Sequence, residues 1–132
     1  MAEINAEETP KGFPLKLNGL KTCLPSNGID TSSPLAESFE RCSYFVIADL
    51  NRQEITSFVN YVQTFPRGES IQTAQMIIDQ QVETVIVPEI DSSTLNILQK
   101  AGIKIFLGID GTIQENIDLF SQGRLVEIKI SN

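Results

Sequence analysis

The chain has 132 residues, a formal net charge of −7, 41% hydrophobic and 20% charged residues, two cysteines and no histidine. That length suits one domain with a single core, and the acidic balance excludes a nonspecific grip on phosphate backbones or on an anionic membrane surface. The lack of histidine removes the commonest metal ligand and the commonest proton shuttle together. No apolar run approaches the roughly 18 residues of a membrane span, and the N-terminus lacks a basic-then-apolar leader, so the expected location is cytoplasmic.

In chain order, residues Met1 to Asn18 are polar and carry Pro10, Gly12 and Pro14. They read as a flexible extension ahead of a folded unit at 19–132, although Phe13, Leu15 and Leu17 alternate in a way that suits docking on a sheet edge. "LKTCL" (Leu20–Leu24) predicts a short strand ended by Pro25, followed by a polar loop over Ser26–Ser38. "SYFVIAD" (Ser43–Asp49) and "EITSFVNYV" (Glu54–Val62) predict an antiparallel hairpin, the first arm apolar on both faces and so inside the sheet.

Beyond Pro66 the rhythm changes to alternating helix and strand. Helices are expected at Ser70–Gln81, with a buried stripe of Ile71, Ala74, Ile78 and Val82 and with Ile77 beside it, at Ser92–Lys100, with Leu95, Leu98 and Ala101, and at Thr112–Gln122, with Ile113, Ile117 and Phe120. Asp91 or Ser92 suits the cap of the second helix, and Thr112 with Glu115 has capping-box spacing at the third. Gly102 and Gly123 sit where helices stop. "ETVIVP" and "IKIFLG" are the intervening strands, and Val126, Ile128 and Ile130 alternate as a last edge strand in the same chain or a partner's. Parallel crossovers late and an antiparallel hairpin early require a mixed sheet covered by helices.

Three stretches in this order resemble the dinitrogenase iron-molybdenum cofactor biosynthesis family: "SFERCSYFVIAD", "GESIQTAQMIIDQQVETVIV" and "LQKAGIKIFLGIDGTIQENIDLFSQGRL". Phe39, Arg41 and Phe45 match its entry motif, and Ala101-Gly102-Ile103-Lys104, Gly111-Thr112 and Gly123 fall where that family punctuates. The resemblance implies an α/β, ribonuclease-H-like fold: a mixed five-stranded sheet in order 3-2-1-4-5, strand 2 antiparallel, with three helices. It implies a non-enzymatic carrier or accessory protein of nitrogen-fixation type, with an iron–sulfur cluster or iron–molybdenum cofactor as ligand and metal-cluster assembly proteins as partners. Ser38 stands where family members often have histidine, and Glu40 where they have glycine. The alternative is therefore a cofactor-free member acting as a protein-interaction module.

The site implied lies where the loops after strand 1, before strand 2 and before helix 1 converge. Its candidate cofactor-binding residues are Arg41, Cys42, Arg67, Gly68 and Ser70, with Cys42 also the candidate metal ligand. Free N–H groups at Ser70, Ile71 and Gln72 would favour an anion, while Glu40 and Glu69 would oppose it, and a plain solvated helix start explains the same residues. Cys42 beside Arg41 suits a thiolate of lowered pKa, with redox use as a further option or a place in the core as the plain one. Cys23 reads as a small buried apolar residue. Two cysteines fall short of the four that iron–sulfur clusters generally take, so one ligand per chain or two facing chains would be needed, as in a homodimer paired through the C-terminal strand. Nuclease chemistry is not expected, because strand 1 offers Thr22 and Cys23 where a carboxylate is required.

Overall fold

The computed structural model describes residues 21–64 and 69–129. The N-terminal extension, Arg67, Gly68 and Ile130 of the expected last strand therefore lie outside the described residues.

The elements are β1 (Lys21–Ser26), β2 (Tyr44–Asp49), β3 (Glu54–Val59), a 3-10 turn at Tyr61–Thr64, α1 (Glu69–Asp79), β4 (Thr84–Val87), α2 (Ser92–Lys100), β5 (Lys104–Leu107), α3 (Ile113–Ser121) and β6 (Val126–Ile128). They form one six-stranded sheet in order β3-β2-β1-β4-β5-β6. β2 runs antiparallel to both β1 and β3, while β1, β4 and β5 are parallel. The expected order 3-2-1-4-5 thus holds, but the sheet has a sixth strand. β6 adds antiparallel to β5, pairing Ile105 with Ile128 and Leu107 with Val126. Its alternating apolar residues cover an edge of their own sheet, the simplest use of a strand that follows a helix stop at Gly123.

Side chains alternate between two cores. One face holds Cys23, Phe45, Ile47, Val85, Val87 and Ile105 against Ala74 and Ile77 of α1 and Leu95 and Leu98 of α2. The other holds Leu24, Val46, Ala48 and Ile86 against Ile113 and Ile117 of α3 alone. Among the described residues, two helices pack on one face and one on the other.

Local chemistry explains most boundaries. The Asp91 carboxylate caps α2 by accepting from Thr94 N at 2.8 Å, and Thr112 and Glu115 form a reciprocal capping box on α3. Gly102 and Gly123 take positive φ after α2 and α3, where a Cβ would be strained. Two helical stripes differ from expectation. In α1 the buried residues are Thr73, Ala74, Met76 and Ile77, while Ile71 is 65% exposed, so the helix is rotated relative to the Ile71–Ile78 stripe and stops at Asp79. In α2, Ala101 is the exposed C-cap and not part of the stripe. β1 also runs through Pro25, which pairs in register with Phe45. The Pro25 carbonyl accepts from Ala36 N at 3.0 Å, so its backbone groups face away from β2 and the missing N–H costs no ladder bond.

At the far end of β5, Gly108 N donates to Val87 O at 2.6 Å, and a Cβ there would lie 2.9 Å from methyl groups of both Ile86 and Leu35. Gly108→Ala should therefore cost about 1–3 kcal/mol through overpacking, read as a lower urea midpoint with an unchanged slope. An unchanged midpoint would mean that this junction gives way easily.

Candidate functional site

Because β1, β4 and β5 are parallel, their carboxyl ends share one end of the sheet. β3 also points there, so all three helices begin at that end. α2 follows β4 onto one face and α3 follows β5 onto the other. Such a split leaves a crevice outside the strand ends, the usual ligand position in open α/β sheets.

Two adjoining hollows occupy this end. A cavity of about 340 Å³ lies at the β4–β5 split, its mouth carrying Glu37, Glu89 and Asp110 and its wall Leu35, Pro88 and Gly108. A groove of about 390 Å³ beside it is lined by Asn27, Ala36, Glu37, Ser38, Arg41 and Cys42. The single connection between β1 and β2 brings Asn27, Arg41 and Cys42 to one groove, while residues 65–68 before α1 lie outside the described residues. Ser70 lies in the first turn of α1, which begins at the same end of the sheet.

Two buried asparagines that sequence reading passed over hold these loops. Asn60 Nδ2 donates to the carbonyls of Glu40, at 3.1 Å, and Cys42, at 2.9 Å, and Asn60 Oδ1 accepts from Val62 N at 3.2 Å. Asn116 Nδ2 donates to Ile109 O and Thr112 O, and its Oδ1 accepts from Ile109 N at 2.7 Å. An asparagine directly after an apolar strand, or on the apolar stripe of a helix, is the signal that would have found them. Phe39 anchors the first loop from below, buried edge-to-face on Phe45 with ring centroids 5.2 Å apart.

Arg41 is exposed, and Cys42 is not: it is 3% exposed and belongs to the larger core. Its thiol donates to Phe39 O at 3.4 Å and accepts from Asn60 Nδ2 at 3.7 Å. Burial pushes the Cys42 pKa up to about 12. A thiol held this way is a quiet core group and not a poised thiolate. Burial, with Cys42 nearby, also raises the pKa of Cys23 well above the ordinary value. Among the described residues, no three histidine, cysteine, aspartate or glutamate side chains are grouped to hold a metal ion.

Glu40 is the strained carboxylate of the site. Thr94 Oγ1 donates to its Oε2 at 2.9 Å, tying the groove loop to the start of α2. Burial pushes its pKa up, the Thr94 bond partly offsets this, and nearby Asp91 adds to the rise. A carboxyl with a raised folded pKa stabilises the fold below its ordinary value, and that stability is lost as pH rises through the folded value. Glu40→Gln keeps an acceptor for Thr94 and removes the charge. It should melt above wild type at pH 7, with the gap closing as pH falls towards about 4, the carboxyl's ordinary range. A gap that is constant with pH would show that Glu40 titrates normally.

Residues 20–123 match the model of a family described as dinitrogenase iron-molybdenum cofactor. An uncharacterized protein of Methanocaldococcus jannaschii is 28% identical over 114 residues, spanning 84% of this chain and 93% of that protein. Among solved structures, the apo form of the orange protein from Desulfovibrio gigas superposes with a TM-score of 0.80 at 20% identity, covering 86% of this chain and 96% of that one. A Thermotoga protein assigned as NifB superposes with a TM-score of 0.75 at 30% identity, covering 86% of this chain and 97% of that one.

Proposed function

The chain belongs to the dinitrogenase iron-molybdenum cofactor family, and on that premise we propose that it is a non-enzymatic carrier or accessory protein for a metal–sulfur cofactor of iron–sulfur or iron–molybdenum type. Metal-cluster assembly proteins would be its partners. The observation that carries this reading is the family match over residues 20–123, which takes in β1 to β5, joined to a groove that lies where strands of that sheet end.

The donor set does not fit a cluster coordinated by this chain. The chain has no histidine, both of its thiols are buried, and burial pushes the pKa of each up. The groove is lined by the cationic Arg41, the polar Asn27 and Ser38 and one acid, Glu37; the first three suit a preassembled anionic group held by charge and hydrogen bonds, and Glu37 opposes it. Cys42 then supports the groove from within the core. Holding a finished group without bonding to its metals is what a carrier needs, since the group must also leave.

A second reading, an interaction module without cofactor, draws on the acidic mouth formed by Glu37, Glu89 and Asp110. That rim repels an anion and suits a basic protein surface.

Anaerobically purified protein separates the two readings by its visible absorption and its iron and molybdenum content. The carrier reading expects metal that co-elutes with wild type, falls at least five-fold in Arg41→Ala and persists in Cys42→Ser with a lower melting temperature. Equal loss in Cys42→Ser and Arg41→Ala would make Cys42 a ligand. Metal-free wild type would favour the interaction module.

A further inference from the structure

The loop "SNGIDTSSP" (Ser26–Pro34) leaves β1 with an Asn-Gly pair, and the first member of that pair, Asn27, lines the groove beside Arg41 and Glu37. The fold requires the glycine. A Cβ at position 28 would run into Ser33 Oγ and lie 3.1 Å from Ser33 Cβ, so a larger residue displaces the loop. Asn27 is exposed, and its side-chain amide makes no hydrogen bond among the described residues. Gly28, by contrast, is held from behind. The hydroxyl of Ser26, a fully buried residue, accepts from Gly28 N at 3.1 Å and donates to Gly28 O at 2.7 Å. The ends of the loop are tied as well: Asn27 N donates to Pro34 O at 3.2 Å, and Ser26 bridges to Leu35.

Asparagine before glycine is prone to ring closure, because no side chain on the second residue shields its nitrogen. Gly28 N gives its proton to a solvent base and attacks Asn27 Cγ. A C–N bond forms there, and Nδ2 leaves as ammonia. One water then opens the succinimide at either carbonyl, giving aspartate or β-linked isoaspartate. We propose that Asn27–Gly28 is a modification site in the groove and that the Ser26 hydroxyl is the positioning group that guards it. The electrophile, the Asn27 amide, is unrestrained, so the restraint falls on the nucleophile. An N–H already donated to Ser26 Oγ must first be released, and a peptide tied on both sides cannot turn its nitrogen onto Cγ. Conversion changes the groove as well as the loop. The charged lining goes from Arg41 and one acid, Glu37, to Arg41 and two acids, and isoaspartate adds a carbon to the main chain. The chemistry needs only the loop, so it is independent of what the groove binds.

Peptide mapping of the full chain, aged in mildly alkaline buffer, measures aspartate and isoaspartate at position 27. The rate would be compared in wild type, folded and in urea, and in folded Ser26→Ala and Asp30→Ala. Asp30 accepts from Ser32 and Ser33 and makes no bond to Gly28, so Asp30→Ala reports loosening of the loop alone. The expected rate for folded wild type is at least ten-fold below that in urea. Ser26→Ala should react at least five-fold faster than folded wild type, and Asp30→Ala close to the wild-type rate. Wild type reacting as fast folded as in urea would overturn the proposal. So would Ser26→Ala at the wild-type rate, or Asp30→Ala accelerated as much as Ser26→Ala. If Ser26→Ala does not fold, hydrogen exchange of Gly28 N–H in wild type decides: protection supports the guard, and exchange at the rate of an unstructured loop overturns it.

Discussion

One buried side-chain amide, that of Asn60, sets the shape of the open end of this molecule. The strand β3 ends where β2 begins, and the connection into β2 has no regular partner of its own. Asn60 supplies one by donating to two successive turns of that connection, at the carbonyls of Glu40 and Cys42, while its oxygen receives the Val62 N–H. Buried carbonyls left without donors would cost about 1–3 kcal/mol each, so the amide holds the loop in place as well as filling space. Asn116 does the same for the β5–α3 connection from the opposite face. Between these two clamps lie both hollows of the candidate site. The groove is therefore built into the fold and does not depend on a ligand to form.

The same construction limits the chemistry. Cys42 is drawn into the core by the loop that Asn60 pins, and the thiol's pKa of about 12 follows from that burial. With its sulfur turned into the core and no imidazole in the chain, the groove offers no ready set of metal ligands among the described residues. It can present Arg41 and polar groups to something already assembled, or acidic rims to a basic partner. Glu40, on the same loop but outside the groove lining, is half-buried beside Asp91 and tied to Thr94.

The helix positions were legible in the sequence because they rest on local signals, periodicity, capping residues and turn glycines, while the strand order came from the family resemblance that three stretches carry. Asp91, Thr112 and Gly123 did what their positions suggested. The errors came where tertiary packing overrides a local pattern. Ile71 looked like a core residue by spacing, yet α1 turns Thr73 and Met76 inward, because the sheet face it packs on dictates its rotation. Pro25 looked like a strand end, yet its free side faces the Ala36 loop and the strand continues. For the site, Arg41 and Cys42 were found as neighbours of one groove, but the inward direction of the thiol depends on Asn60, eighteen residues away. No spacing rule carries that information.

The central claim is that the groove loops are rigid before anything binds, and amide hydrogen exchange of the ligand-free protein tests it most directly. The informative amides are Val62, bonded to Asn60, and Ile109, bonded to Asn116, with Ala36, bonded to Pro25, as a backbone reference. The account predicts that Val62 and Ile109 exchange within about ten-fold of the amides in β1 and β4, because all open with the same core. Exchange at the rate of an unstructured loop would contradict it, and would make the groove a product of its ligand.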